Sequence, residues 1–416
     1  MAKKVWILNH HATNMYFDNG GRHYCIAKYL KRKGYEPIIV CANAEHGTGK
    51  KCFDNEDLFS VHINTQIDVP FIFVKSRTYT NNGKDRIMGM FDYYFNVKKI
   101  AKEIVERYGK PDVIIGSSVH PLACLAGIKL SKKYGSKCIT EIRDLWPESI
   151  VAYGLAKKDN PFIKILYRFE RYLYEKSDAV IFTMAGGKDY IKEKGWDLSN
   201  GGKIDLDKIF HINNGVDFEK YEYNRQHYYF DDADLENSEK IKIVYTGSIR
   251  LTNHVERIVE VARKMQNENY IFLIFGSGDK KEDIKSKISE YRLQNIILKE
   301  PVEKKYIPYI LSKADICITD VCNDAIFRFG ISPNKLFEYM ASGKPVLSCL
   351  PCGYDILQYL DAGMTVDGEN VNNIVDAIRI IKSKIDSNQY KEMNDRVNNE
   401  ISFEKHTEKL INIIEN

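Results

Sequence analysis

Along this chain, short apolar runs are followed by polar turns and then by stretches whose apolar residues recur every three or four positions. That rhythm predicts strand, loop, helix and strand again, and its repetition predicts an α/β protein with parallel sheets covered on both faces. In the first half, strands are expected at Val5 to Leu8, Pro37 to Cys41, Val113 to Gly116, Cys138 to Ile142, Asp178 to Thr183 and Lys208 to Ile212. Helices are expected at Arg22 to Lys33, Tyr93 to Tyr108, Leu122 to Tyr134, Phe162 to Ser177 and Lys188 to Lys194. Ala44 to Arg86 is polar and irregular around one strand-like run, Val69 to Lys75, and is expected to hold a mobile loop.

The rhythm starts again at Ile241. Strands Ile241 to Tyr245, Tyr270 to Phe275, Ile296 to Leu298 and Ile316 to Thr319 alternate with helices Glu256 to Met265, Lys281 to Tyr291 and Lys304 to Ser312. Two doubly wound domains follow: residues 1–217, an aperiodic charged linker at 218–240, and residues 241–398. A last helix from about Ser402 to Ile414, within residues 399–416, is expected to return to the first domain.

Length agrees, because 416 residues exceed one ordinary core. With 44% apolar and 28% charged residues the chain is globular, and a net charge of +4 does not suggest nucleic acid as a main partner. The first apolar run breaks at Asn9, too short for a signal-peptide core or a membrane span, so a cytoplasmic protein is expected. Nine scattered cysteines, an odd number that includes Cys322, fit reduced thiols. Cys349 and Cys352 form a CxxC with no second pair, and Asp232-Ala233-Asp234 follows no strand, so no metal site is expected.

Polar residues placed directly after buried strands lie at the carboxyl edge of a sheet, where open α/β folds bind ligands. Gly20-Gly21 opens a helix and lets backbone and helix N–H groups approach an anion. His120 follows another strand and either faces a ligand or caps the next helix. Arg143, Asp144, Trp146 and Glu148 follow a third; they form a site with a flat indole surface for a sugar, or a surface turn pinned by Arg143. The helix Phe162 to Ser177, with Lys164, Arg168, Arg171 and Lys176, either lies on an anionic membrane or is an ordinary core-facing helix. Gly247 and Gly276-x-Gly278 follow strands without forming the GxGxxG fingerprint, so no dinucleotide cofactor is expected.

The most informative stretch is Phe329 to Ser348. Gly330 permits a turn, Ser332 is read as the N-cap, Pro333 as the first helical position, and Gly343 as the stop before the strand Val346-Leu347. The first turn of such a helix receives phosphate without metal, and Glu338 one turn on reaches the sugar hydroxyls of the same nucleotide. Local pattern alone equally fits a well-capped αβ unit.

Taken in order, Gly20-Gly21, EIRDLWPES (Glu141 to Ser149), the N-N-G-V-D turn (Asn213 to Asp217), Tyr245-Thr246-Gly247-Ser248, Phe275-Gly276-Ser277-Gly278 and SPNKLFEYMASGKPVL (Ser332 to Leu347) resemble the retaining GT-B glycosyltransferases of family four, of the bacterial surface-polysaccharide type. The resemblance covers nearly the whole chain. It implies two Rossmann-like domains facing a central cleft, the first binding an acceptor and the second a nucleotide-sugar. The implied donor residues are Gly20, Gly21, Gly247, Ser248, Gly276, Gly278, Ile331, Ser332, Asn334 and Glu338. Arg250 and Lys335 would take the diphosphate, Asp144 and His120 the sugar or acceptor, and Arg143, Trp146 and Glu148 the acceptor. Of the family's two glutamates, the second falls on Glu338 and the first on Gly330, so the usual sugar contact is missing.

The reading that follows is a cytoplasmic, metal-independent enzyme. It would move a hexosyl or N-acetylhexosaminyl group from a UDP-sugar to a glycan or a polyprenyl-diphosphate-linked glycan. It needs no cofactor beyond that co-substrate, and peripheral contact with the inner membrane face stays open. A UDP-sugar epimerase on the same fold and a non-catalytic scaffolding subunit are the alternatives.

Overall fold

The computed structural model describes residues 2–416 apart from Asn55, Asn82, Val119, Cys322, Asn323 and Lys391; Cys322 therefore lies outside the described residues. The chain divides into two compact units, Met1–Asn213 with Phe403–Asn416, and Asn214–Ser402.

The first unit is built on β1 (Lys4–Leu8), β2 (Glu36–Ala42), β3 (Phe59–Asn64), β4 (Val69–Val74), β5 (Val113–Ser118), β6 (Lys137–Ile142), β7 (Ala179–Phe182) and β8 (Ile209–His211). Their order is β3-β4-β2-β1-β5-β6-β7-β8, parallel except for the β3–β4 pair. Alternate side chains of β1 explain the two-sided burial. Val5 and Ile7 face a layer containing Tyr24, Leu30, Leu410 and Ile414, whereas Trp6 and Leu8 face Tyr93, Val97, Ala123 and Leu130.

The β3 strand falls in the stretch read as an irregular loop. Its side chains are mostly half-buried, an edge strand whose weak alternation hides its pairing. The helix expected from Tyr93 begins earlier and spans Lys84–Tyr108. The final helix, Phe403–Glu415, packs on Arg22–Arg32, where Lys33 meets Glu408 at 3.0 Å.

The second unit holds β9 (Ile241–Ser248), β10 (Tyr270–Ser277), β11 (Ile296–Lys299), β12 (Ile316–Thr319), β13 (Val346–Ser348) and β14 (Gly363–Thr365), in the order β11-β10-β9-β12-β13-β14 and all parallel. Residues 218–240 are not an aperiodic linker. They contain helices Phe218–His227 and Ala233–Glu236 within this unit, with Tyr221 and Leu235 buried in its core. Asp232 and Asp234, the motif that resembled a metal site, are held by Lys299 at 2.7 and 2.5 Å. The eight described cysteines are free thiols. Among the described residues no helix is long and apolar enough to cross a membrane.

Candidate active site

In the second unit a polar cluster forms where β9 and β12 end. Helix Asn334–Ala341 is pinned to β9 by Tyr339, whose hydroxyl accepts from the Thr246 N–H at 2.7 Å and donates to the Thr246 carbonyl at 3.0 Å. That places Lys335, in the first turn, against Tyr245: its Nζ donates to the hydroxyl at 3.1 Å and lies 4.6 Å from the ring centroid. Gly247 has φ +145°, and a Cβ there would come within 3.3 Å of the Lys335 Nζ. Glycine thus leaves room for the cation, a role local to this helix and strand.

Asp320, directly after β12, is fully buried; Arg257 Nη1 lies 3.4 Å from both of its carboxylate oxygens, and Arg257 Nη2 lies 3.1 Å from Glu369. Burial pushes the Asp320 carboxyl up to about 7, with Arg257 opposing the shift. Burial likewise pulls the Lys335 ammonium down to about 8, with Asp320 opposing. The cluster therefore carries two cations around one buried acid. Arg250 is exposed, and its side chain has no partner among the described residues.

Ser332 does not cap the helix. Pro333 occupies the N-cap position at ψ 134°, so the helix starts one residue later than expected. Ser332 Oγ instead accepts from the Asn214 N–H at 3.1 Å, and its carbonyl accepts from Asn214 Nδ2 at 2.7 Å, tying the helix entry to the N-N-G-V-D turn. Asn334 is exposed, Ile331 packs against the core, and Glu338 pairs with Lys304 at 3.1 Å. Ser248 donates to Asn253 Oδ1 at 2.9 Å. The glycines at the end of β10 have a backbone reason: a Cβ on Gly276 would sit 1.9 Å from the Gly247 carbonyl oxygen, and one on Gly278, just past the strand, 2.1 Å from that of Ile249. Close strand approach accounts for both without a ligand.

In the first unit, Gly21 starts helix Arg22–Arg32 at φ +93° and lies against Met15, with Gly20 before it. The helix presents Arg22 and His23 to a buried carboxylate. Glu141 accepts from Arg22 Nε at 2.7 Å, lies 2.7 Å from His23 Nε2 and accepts from Ser117 Oγ at 2.7 Å. Burial works against its charge, but Arg22 and His23 hold Glu141 well below the usual carboxylate range. Arg22 also donates to the Ile212 and Asn213 carbonyls, so this network ties β6 to the end of β8.

Next to it opens a cavity of about 200 Å³ lined by Ser118, His120, Asp144, Trp146, Phe169 and Glu170, with Arg86 and Tyr153 among its other walls. His120 is the N-cap residue of helix Pro121–Tyr134, yet its side chain makes no cap bond. The residue is 3% exposed and neither ring nitrogen has a hydrogen-bond partner among the described residues; burial pulls it down to about 3, so it is neutral. The His10 ring packs edge-on at 4.8 Å. Asp144 reaches the surface, yet surrounding protein pushes its carboxyl up and Arg143 opposes that shift. The Arg143 backbone N–H donates to Ser118 Oγ at 3.1 Å, while its buried Nε has no partner among the described residues. Glu170 closes the cavity, accepting from Tyr174 and Tyr190 at 2.7 and 2.8 Å; burial raises it to about 8. Glu148 is not an open acceptor group: Lys194 and Tyr167 both bind its Oε2, because it begins a short helix facing them.

The structure thus gathers Lys335, Gly247 and Ser248 with Tyr245, and His120, Asp144 and Trp146 around one cavity. Arg257, Asp320 and Glu170 were not singled out from the sequence. Asp320 follows a buried strand as His120 does, so the same strand-end rule points to it. Arg257 lies one turn beyond the loop after β9 and has no such local sign.

Two family models match successive parts of the chain, Glycosyltransferase Family 4 on residues 24–220 and Glycosyl transferases group 1 on residues 230–399. A Bacillus subtilis (strain 168) protein, TuaH, assigned to teichuronic acid biosynthesis as a glycosyltransferase, is 26% identical over 64% of this chain and 63% of its own length. The chain thus matches just under two thirds of that relative. Sucrose-phosphate synthase from Thermosynechococcus elongatus superposes over 99% of this chain and 98% of its own, with a TM-score of 0.71 and 16% identity. Anabaena HepE, solved with UDP and glucose, covers 99% of both chains at TM-score 0.63 and 12% identity. The chain thus has the GT-B fold, with glycosyltransferase family models matching its two successive parts.

Proposed function

We propose that the chain transfers a sugar from a UDP-sugar to a hydroxyl of a glycan or polyprenyl-diphosphate-linked glycan in bacterial surface-polysaccharide synthesis, with retention at the anomeric carbon. The observation that carries this reading is the Lys335–Tyr245 and Arg257–Asp320 cluster at the carboxyl edge of the second sheet, beside the first turn of helix Asn334–Ala341. UDP is supported by HepE, whose structure holds it, and surface polysaccharide by the naming of TuaH.

In the reaction the bond from the anomeric carbon to the diphosphate oxygen breaks, and a bond from the acceptor oxygen to that carbon forms. Negative charge develops on the departing diphosphate. Lys335, Arg250 and Arg257, together with the helix N–H groups, are the groups assigned to it, and preorganised donors of this sort each contribute roughly 3 kcal/mol. The assignment uses no metal. Glu338 is assigned to the ribose; binding would require it to exchange Lys304 for the nucleotide. Gly20 and Gly21 remain donor-side candidates, with Gly330 leaving the family's sugar contact unfilled. His120, Asp144, Arg143 and Trp146 are the acceptor-side groups. Neutral His120 can accept a hydrogen bond from a hydroxyl at one ring nitrogen and donate one to a sugar oxygen from the other, while the acceptor's proton leaves with the diphosphate.

The test is incubation with a panel of UDP-sugars and lipid-linked glycan acceptors, read by mass and by the anomeric NMR coupling of the product. A retained glycoside with UDP release supports the reading. An isomerised donor identifies an epimerase, and binding without chemistry identifies a scaffold. Glu338→Ala and Arg250→Ala should each sharply reduce turnover in a folded protein; unchanged turnover in both overturns the donor-site assignment.

A further inference from the structure

An exposed apolar and basic face borders the mouth of the first unit's cavity. Helix Pro161–Lys176 turns Ile163, Glu170, Leu173 and Tyr174 inward, but leaves Phe162 64% and Ile165 56% exposed. The segment leading into it adds Leu155 at 77% and Tyr153 at 55%. Scattered exposed apolar residues are ordinary, whereas several together mark a contact surface. Phe162 is also held firmly: Pro161 takes the first helical position, and the Asn160 side chain accepts from the Phe162 N–H at 2.9 Å.

Charge identifies the occupant. Residues 153–168 contain Lys157, Lys158, Lys164 and Arg168, all exposed, against the single acid Asp159. An acidic protein would pair the cations without needing protruding aliphatic and aromatic tips. A bilayer containing anionic lipid takes both, apolar tips below the headgroups and cations among the phosphates. The position agrees with this. Tyr153 belongs both to this face and to the cavity wall, and Arg86, another wall residue, opens a helix whose Ile87, Phe91 and Phe95 lie exposed at four-residue spacing. The cavity mouth is therefore bordered by exposed apolar residues from two helical segments.

We propose that the face centred on Leu155, Phe162 and Ile165 docks on an anionic bilayer and holds the cavity mouth at headgroup level, where a lipid-linked glycan would enter. Only the last clause rests on the glycosyltransferase reading.

The test is cosedimentation of the full chain with vesicles of phosphatidylcholine alone and of phosphatidylcholine mixed with phosphatidylglycerol, with no sugar donor present. Binding is expected to the mixed vesicles only and should weaken with salt. Lys164→Glu with Arg168→Glu should lower vesicle affinity at least about 30-fold, the product of two lost surface cations. Leu155→Ser, Phe162→Ser and Ile165→Ser together should abolish binding while leaving the melting temperature and UDP binding unchanged, since these side chains are exposed. The proposal is overturned by absence of vesicle binding, by undiminished binding of the triple variant, or by a lipid-free dimer that the triple variant dissociates. Because the vesicle assay needs no donor, vesicle binding together with no transfer in the separate UDP-sugar and acceptor assay would reject the glycosyltransferase reading and leave the docking face standing.

Discussion

The two sheet edges use opposite chemistry. At the second unit's edge, Lys335 and Arg257 hold positive charge around a buried acid, Asp320, next to a helix N-terminus. At the first unit's edge, the cavity walls mix aromatic rings with Arg86 and Asp144, and the two fully buried groups His120 and Glu170 are neutral near pH 7: His120 is pulled down to about 3 and Glu170 pushed up to about 8. A cationic site suits a diphosphate that must leave carrying charge, whereas a neutral, ring-lined site suits hydroxyl groups and sugar faces. One fold repeated twice therefore carries a cationic cluster at one sheet edge and a ring-lined cavity at the other, and the proposed division of charge handling from hydroxyl handling rests on that difference.

The largest expected effect lies on the charged side. Lys335→Ala should lower kcat/KM for the UDP-sugar by about 100-fold, the loss of one preorganised donor, and steady-state kinetics on folded protein checks it. The same substitution should leave vesicle binding intact. If His120→Ala costs UDP affinity as much as Lys335→Ala does, the division of labour between the two edges fails.

Gly276→Ala comes next and acts on stability. Its Cβ would meet the Gly247 carbonyl oxygen at 1.9 Å, so the strands must part; a loss of about 1 to 3 kcal/mol in denaturant unfolding is expected. A variant of wild-type stability with weakened UDP binding would instead make this glycine a ligand cradle.

Asp320→Asn should weaken UDP binding about tenfold by freeing Arg257, on the scale of one charged hydrogen bond. It should also change the pH dependence. With a free-state pKa of about 8, Lys335 loses its proton as pH rises through that value, so UDP affinity in the wild type should fall between pH 7 and 9. Without the Asp320 charge that fall should begin at lower pH. Titration calorimetry across this range reads both effects.

The last effect is on the first unit's side and is read in stability, not in binding. Glu170 is raised from 4.5 to about 8, so its contribution to stability is fully present below pH 4.5 and is lost as pH rises through 8. Wild-type stability should decline across that window with a slope of at most about 1.4 kcal/mol per pH unit from this group. Glu170→Gln should flatten it, which thermal melts at pH 5 and 8 measure.

How much of this was legible follows the range of the interactions. Strands such as Val5 to Leu8 and Tyr270 to Phe275 were readable because buried parallel strands are locally apolar, and Lys335 and Gly247 because they stand beside clear strand and helix ends. The β3 strand was not, since its half-buried side chains lack alternation and its antiparallel partner β4 supplies the pairing. Glu141 with Arg22, 119 positions apart, and Arg257 with Asp320, 63 apart, become neighbours only through topology. Ser332 was misread as a cap because the competing donor, Asn214, is 118 positions away.

The most direct test of the central claim is equilibrium binding of UDP to the full chain, compared between the wild type and Lys335→Ala at pH 7. Wild-type binding with at least a tenfold loss in the folded variant is the expected result. Equal affinity in both, or no UDP binding by the wild type, would contradict the assignment of the second unit's cationic edge to a nucleoside diphosphate.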